Sequence, residues 1–313
     1  MFANENTLRI ATRQSRLALW QAEHVAQRLR ETHRELNVVM VPMTTQGDRI
    51  VDRSLAEVGG KGLFIKELEL AIEQDRADIA VHSMKDVPSE LPPGMKLAAM
   101  LPRADARDAF VSGRHPSFFA LPHGARIGTS SPRRQCQLKH ARPDLQIATL
   151  RGNVETRLRK LDAGEYDAIV LATAGLVRLD LAHRITQHLD YDLSLPAVGQ
   201  GVIGIECREQ DARSIERVRA LNDADAWRCC EAERAFARQL HGNCFSPIAA
   251  YAESQADQLH LRGAVGSPDG LKLYRSSTNG PIANAQALGI QLAERLLNEG
   301  AREVLEKAIG DRR

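Results

Sequence analysis

Along the first two thirds of the chain, apolar positions recur with two periods in turn. Leu8-Arg9-Ile10-Ala11 is short and partly apolar, and beyond Ser15 the residues Leu19, Ala22, Ala26 and Leu29 share one helical face. Val38 to Met43 reads as a strand, Lys66 to Gln74 as a helix bearing Leu68 and Ile72, and Asp78-Ile79-Ala80-Val81 as a further strand. Strands alternating with helices predict a parallel, doubly wound sheet.

The same order returns where Ile127 leads into Gly128-Thr129-Ser130-Ser131, a helix follows from Pro132, and Ile147-Ala148-Thr149-Leu150 forms another strand. Arg76 to Val81 and Glu165 to Val170 each follow a helix and pass through a turn into a buried strand, a unit used twice. Leu101-Pro102-Arg103-Ala104-Asp105 reads as a crossing between lobes and Leu195-Pro196-Ala197-Val198-Gly199-Gln200-Gly201 as the return. Paired crossings predict a hinged, two-lobed cleft. After about Asp223 come a helix, the loop His241-Gly242-Asn243-Cys244, strand-like runs such as Gln258 to Arg262, and a closing helix from Ala283 to Leu297. The expected division is residues 1–101 with 199–220 as a first α/β lobe, 104–198 as a second, and 223–313 as a small α+β domain.

Length and composition narrow the classes. A chain of 313 residues suffices for two or three cores, and 43% hydrophobic with 26% charged residues is the composition of an ordinary globular protein. Seven Phe, four Tyr and two Trp offer few stacking platforms for bases, and the net charge is only +2, so a nucleic-acid binder is disfavoured. No stretch has the length and apolarity of a membrane span, and the first residues lack a basic and an apolar region, so the expected location is cytoplasmic, with no membrane partner. The five cysteines, Cys136, Cys207, Cys229, Cys230 and Cys244, form no C-x-x-C pair and have no histidines at zinc-ligand spacing. Neither a disulfide framework nor a metal site is expected, which leaves thiol chemistry at one selected cysteine open.

In open α/β sheets ligands bind where strands end and helices begin. Four such loops are unusually polar: Thr12-Arg13-Gln14-Ser15, His82-Ser83-Met84-Lys85-Asp86, Thr129-Ser130-Ser131-Pro132-Arg133-Arg134, and Arg151-Gly152-Asn153. In the third, hydroxyls at an N-cap, Pro in the first helical turn and free backbone N–H groups make an anion site, to which Arg133 and Arg134 add bidentate donors. Taken alone, the same residues equally describe a capped surface helix with solvated arginines. Arg13, Arg151, Arg157 and Arg178, at or near other strand ends, favour a pocket for several carboxylates or phosphates.

Val58-Gly59-Gly60-Lys61-Gly62-Leu63-Phe64 fails the nucleotide-binding pattern G-x-x-x-x-G-K-[ST] because Leu63 follows Gly62. It reads either as a flap over a cleft, with Gly59, Gly60, Lys61 and Phe64 as its working residues, or as a plain surface turn. Asp86, beside Lys85 and ahead of Val87-Pro88, is the carboxylate best placed at a strand end, although a lone Asp before a turn is more often a cap.

Together, Val81 to Pro88, Val58 to Phe64, Gly128 to Arg134, Leu150-Arg151-Gly152-Asn153-Val154 and Leu195 to Gly201 resemble the porphobilinogen deaminase family. The likeness runs in order from about Leu8 to the final helix, and the set is highly specific where any one motif is weak. It implies two periplasmic-binding-protein-like lobes with a hinge plus the α+β domain. It also implies an enzyme that condenses four porphobilinogen molecules head to tail into hydroxymethylbilane, releasing ammonia each time, as a monomer without metal or nucleotide. The family builds on a dipyrromethane primer held by a thioether, and the matching cysteine is Cys244. A thioether survives hydrolysis and mild reduction, which suits a primer kept through every cycle. By the same resemblance Arg13, Ser15, Ser83, Lys85, Thr129, Ser130, Ser131, Arg133, Arg134, Arg151, Gly152, Arg157 and Arg178 hold the acetates and propionates of primer, substrate and growing chain. Guanidinium groups suit such carboxylates, which must be paired when taken out of water. Asp86 matches the catalytic aspartate, whose charge stabilises the cationic azafulvene left by deamination. Two departures stand out: Asn243 precedes Cys244 where the family commonly has Gly, and Cys229-Cys230 is an adjacent pair, expected on a helix. A non-catalytic two-lobed binding protein for an anionic small molecule is the competing reading, and it has no use for a modified cysteine.

Overall fold

A computed structural model describes residues 6–49, 65–242 and 246–310. The flap residues Gly59, Gly60, Lys61 and Phe64, and the cysteine at 244, lie outside the described residues. Within the described residues the strands are β1 (Thr7–Arg13), β2 (Asn37–Met43), β3 (Ile79–Ser83), β4 (Met95–Met100), β5 (Asp108–Val111) and β6 (Arg126–Gly128). They continue with β7 (Gln146–Ala148), β8 (Ala168–Ala172), β9 (Gln187–Leu189), β10 (Ile203–Arg208), β11 (Ile248–Gln255), β12 (Gln258–Gly266) and β13 (Leu273–Pro281). The chain divides into two compact units, Met1–Arg103 with Val202–Trp227, and Ala104–Gly201 with Arg228–Arg313.

In the first unit, β1 runs into a turn at whose end the Ser15 hydroxyl accepts a hydrogen bond from the Ala18 N–H, 3.4 Å, and starts the helix Arg16–Thr32. That helix buries Ala18, Gln21, Ala22, Val25, Ala26 and Leu29, so Ala22, Ala26 and Leu29 of the expected stripe face the core while Leu19 is exposed and Ala18 takes its place. Leu8 and Ile10 of β1, Ile79 and Val81 of β3, and Ile203, Ile205 and Cys207 of β10 complete this core. On the other side of β1, Ala11 meets Leu68, Ala71 and Ile72 of the helix Lys66–Glu73. The sheet order is β2-β1-β3-β10-β4.

The second unit contains a sheet of order β7-β6-β8-β5-β9 and an antiparallel sheet β11-β12-β13. Phe110, Phe118, Ile127, Leu138 and Val170 fill one face of the five-stranded sheet, and Val111, Leu158, Ile169 and Leu176 the other. Phe236 of the helix Ala224–Gln239 and Leu240 just after it pack with Leu259 and Leu261 of β12 and Leu288 and Leu292 of the helix Ala285–Leu296 to give the C-terminal part its own core.

One expectation is corrected. The α/β sheets are mixed rather than parallel: β1, β2 and β3 run together, but β10 is antiparallel to β3 and to β4. The second sheet repeats this, with β6, β7 and β8 parallel and β5 antiparallel to both β8 and β9. In each case the reversed strand is the first one the chain forms after leaving the other unit. The C-terminal part, expected as a domain over residues 223–313, clusters with the second lobe in one compact unit while keeping its own core. Leu195, Ala249 and Ala264 are buried together there, and the Gln135 side-chain amide donates to the Pro268 carbonyl at 3.0 Å.

Candidate active site

The parallel register of the first sheet, with Ala11 opposite Ala80 and Arg13 opposite Met43, brings the loops after β1 and β3 to one edge. Arg13 closes β1 and is half-buried, and Ser15 caps the next helix by accepting a hydrogen bond, which leaves its O–H to donate. After β3 the chain tightens into a 3₁₀ turn, Met84–Asp86. The buried Met84 anchors the turn: its N–H bonds the Val202 carbonyl at 3.0 Å, and the Val87 N–H returns to the Met84 carbonyl at 3.1 Å. Lys85 and Asp86 are thereby held half-buried at the sheet edge, and among the described residues the Asp86 carboxylate has no hydrogen-bond partner. Ser83, just ahead of the turn, exchanges hydrogen bonds with the buried Gln21 side chain at 2.8 and 3.2 Å.

Behind this turn lies a titratable group that the sequence did not single out. His82 is buried and its Nε2 sits 2.8 Å from Oε2 of the fully buried Glu206 on β10. Glu69, on the helix Lys66–Glu73, is raised to about 7, first by burial and then by the charge of Glu206.

The second unit has an equivalent edge. Gly128 pairs with Ala148 and with Ile169, so the loops after β6, β7 and β8 emerge side by side. Ser131 caps the helix Pro132–Ala141 by accepting from the Arg134 N–H, and Thr129 Oγ1 accepts from the Ser131 N–H at 3.2 Å. Both hydroxyls keep their O–H for a ligand. Ser130 does not: its hydroxyl donates to the Leu150 carbonyl at 2.9 Å and accepts from the Leu150 N–H at 3.1 Å, stapling this loop to the next. In that next loop Gly152 adopts φ +106°, and Asn153 caps the helix Val154–Asp162 by accepting from the Thr156 N–H at 2.8 Å. Arg151 is half-buried there, and Arg157 folds back so that its Nε donates to the Gly152 carbonyl at 2.7 Å. Arg178 ends the short helix Thr173–Arg178 and donates to the Gly201 carbonyl at 2.7 Å; burial lowers its guanidinium to about 10, which still leaves it charged at neutral pH.

Of the two readings the sequence left open for Arg133 and Arg134, that of solvated surface arginines does not hold. Both are buried, and both pair with Asp108 at the start of β5, which is wholly inaccessible. Arg133 Nη1 lies 2.9 Å from Asp108 Oδ2 and donates to the Leu195 carbonyl at 2.6 Å. Arg134 Nη2 lies 2.6 Å from Asp108 Oδ1, and its Nη1 donates to the Val170 carbonyl at 2.9 Å. Burial alone pushes the Asp108 carboxyl upward, but the charges and hydrogen bonds of the two arginines outweigh it and hold the carboxyl well below the usual range. The sequence carries one sign of this site: Asp108 is a lone acid beside the apolar run Ala109-Phe110-Val111.

Among the other cysteines, Cys229 and Cys230 are buried on the helix Ala224–Gln239. Burial raises the Cys136 thiol to about 12 and the Cys207 thiol to about 11, which makes them poor nucleophiles. Each edge by itself carries groups that suit a carboxylate: Arg13, Lys85 and the Ser15 hydroxyl in the first unit, and Arg151, Arg157, Arg178 and the Thr129 and Ser131 hydroxyls in the second.

A family model described as the porphobilinogen deaminase dipyromethane cofactor binding domain matches residues 8–216, and one described as the porphobilinogen deaminase C-terminal domain matches residues 227–298. The chain belongs to the porphobilinogen deaminase family. A porphobilinogen deaminase of Syntrophotalea carbinolica is 55% identical over 302 residues, covering 96% of each chain. Among solved structures, a putative methionine-binding lipoprotein of Bacillus subtilis is similar with a TM-score of 0.46 and 11% identity over 72% of this chain and 93% of its own. The BvgS VFT2 domain of Bordetella pertussis is similar with a TM-score of 0.43 and 15% identity over 68% and 85%. The deaminase match to residues 8–216 takes in both polar edges, and the C-terminal match takes in Cys244. The donor set fits a dipyrrole bearing several carboxylates. Besides the hydroxyls and arginines at both edges, Arg134 Nε is buried without a hydrogen-bond partner among the described residues, a cationic donor with unused capacity.

Proposed function

We propose that this protein is a hydroxymethylbilane synthase in which Asp86 is the catalytic carboxylate and Cys244 the attachment point of a dipyrromethane primer. The observation that carries the reading is the in-order match to the porphobilinogen deaminase family over 96% of the chain. The substrate is porphobilinogen, and the product is the linear tetrapyrrole hydroxymethylbilane, freed after four additions when the C–C bond to the primer breaks and water supplies the product's hydroxyl and the hydrogen that the primer's α-carbon regains. Each addition breaks the C–N bond of one aminomethyl group, releases ammonia, forms a C–C bond to a pyrrole α-carbon and releases the proton that this carbon carried. When bound, dipyrromethane supplies the first such α-carbon, and its carboxylates are assigned to Ser15, Thr129, Ser131, Arg151, Arg157 and Arg178.

Asp86 acts where positive charge develops. Loss of ammonia leaves a cation shared with the pyrrole nitrogen, and a carboxylate held half-buried beside that N–H stabilises it more than water does. Lys85, the next residue, and Arg13 at the end of β1 pair with the acetate and propionate of the incoming pyrrole. Arg133 and Arg134 act from behind the Thr129–Ser131 loop through their fixed charge. A cytoplasmic location belongs to the same reading, supported by the buried free thiols Cys136, Cys207, Cys229 and Cys230, which suit a reducing compartment. Among the described residues no helix is long and apolar enough to cross a membrane.

Intact-mass measurement of denatured protein tests the attachment, together with ammonia release during porphobilinogen consumption. The expected result is a dipyrrole adduct on the wild type that is absent from Cys244→Ser. An active wild type of unmodified mass would falsify the primer assignment.

A further inference from the structure

The Asp108 cluster has more organisation than an ion pair requires. Four side chains donate to one fully buried carboxylate: Arg133, Arg134 Nη2 at 2.6 Å, Ser194 Oγ at 2.8 Å to Oδ2, and Gln200 Nε2 at 3.0 Å to Oδ1. Three of them belong to motifs that define the chain, Arg133 and Arg134 to the Gly128 to Arg134 loop and Gln200 to the return segment, and Ser194 immediately precedes that segment. Gln137 adds a clamp, its amide donating to the Arg133 and Leu195 carbonyls at 3.1 Å each and accepting from the Leu195 N–H at 2.9 Å. Gln200 also donates to the Ala106 carbonyl at 2.6 Å, so the segment that enters this unit and the segment that leaves it are both tied to the same carboxylate.

The charges do not balance. Two buried guanidiniums face one buried carboxylate, which leaves an excess of one positive charge in a place where an unpaired charge is costly. The excess sits at the first turn of the helix Pro132–Ala141, whose N–H groups and partial positive charge point the same way. A merely structural pair would be neutral; this one carries an excess positive charge that an anion would balance, and the Thr129 and Ser131 hydroxyls stand beside it.

We infer that Asp108 is a positioning residue for the reaction, locking Arg133 and Arg134 to the return segment so that their excess charge is preset for one carboxylate of the pyrrole substrate. The inference rests on the reading that the Thr129–Ser131 loop binds substrate carboxylates. Preorganised charge acts in binding more than in bond making, so loss of the lock shows in KM before kcat.

The test uses the full-length holoprotein in three variants: Asp108→Asn, Ser194→Ala and Ser131→Ala. Asp108→Asn is expected to raise KM for porphobilinogen about tenfold or more while kcat falls about threefold or less, and Ser194→Ala, which removes one neutral donor, to raise KM about threefold with little change in thermal midpoint. If Asp108→Asn does not fold or carries no adduct, Ser194→Ala alone decides. Variants with a lowered thermal midpoint but wild-type KM and kcat would overturn the inference, because Asp108 would then be a structural ion-pair partner only. Ser131→Ala separates the two readings. A raised KM there, with Ser194→Ala unaffected, sinks the positioning role, whereas an unchanged KM in Ser131→Ala sinks the assignment of the loop itself.

Discussion

Asp86 and Asp108 show how differently two aspartates are used. Asp86 is held by backbone, in a turn pinned through Met84 and Val202, and its carboxylate stays available. Asp86→Asn keeps the shape and removes the charge, so it is expected to fold and to carry the primer adduct by intact mass while kcat falls about a hundredfold or more; near-normal turnover would rule the role out. Asp108 was invisible as a functional residue in the sequence, and so was its pairing with Arg133 and Arg134. A guanidinium next to a helix start looks the same whether it faces water or a carboxylate 25 positions away in the chain. Glu69 offers a test of a different kind. Its carboxyl is raised to about 7 by burial and by Glu206, so its contribution to stability is present at acid pH and is lost as pH rises through 7. Glu69→Gln, neutral throughout, should therefore raise the thermal midpoint relative to wild type at pH 8 and much less at pH 5. An equal gain at both pH values would show that Glu69 is not the titrating group.

At the scale of elements, strong periodicity was legible and short reversed strands were not. The stripe through Ala22, Ala26 and Leu29, the helix from Lys66, the strand β12 and the closing helix all lie close to where the apolar pattern put them, Leu19 alone having turned to the surface. The four residues of β5 and the three of β9 are too short to express a period, and Met95–Met100 shows no alternation, so β4, β5 and β9 did not emerge from the pattern. β10 was missed for another reason: Val202 to Cys207 is buried at every position and reads as a continuation of the crossing. Loop chemistry was better placed than loop function. The Gly152 loop was read as a ligand site, and its left-handed backbone explains the glycine. A Cβ there would stand 2.7 Å from Thr156 Cγ2 at φ +106°. Gly152→Ala is expected to cost about 1–3 kcal/mol in urea unfolding and to raise KM by displacing Arg151; a variant as stable as wild type would mean that the loop relaxes without strain.

For the molecule as a whole, a net charge of +2 conceals a deliberate distribution. Arg13 and Lys85 at one sheet edge, and Arg133, Arg134, Arg151, Arg157 and Arg178 at the other, concentrate cations where the substrate's carboxylates are expected. Exposed acids elsewhere, such as Glu216 and Glu303, cancel them in the sum. Attraction of this kind is screened by salt, with a Debye length of about 10 Å at 0.1 M, so KM for porphobilinogen should rise several-fold between about 0.05 and 0.5 M NaCl while kcat changes little. Steady-state kinetics at fixed pH would check this, and a salt-independent KM would place the recognition in hydrogen bonds rather than charge.

The reversed strand β10 also dictates an order of events during synthesis. β4 touches its sheet only through β10, which lies about a hundred residues further along the chain. When residues 1–103 have left the ribosome, β4 therefore has no neighbour on its inner side, and the first sheet waits. Every strand of the second sheet lies between Asp108 and Leu189, so that sheet closes on its own contiguous stretch of chain before the first one is complete. Of the two five-stranded sheets, the one begun first is the one completed second, and a fragment cut at Arg103 should emerge as a chaperone client rather than a folded lobe.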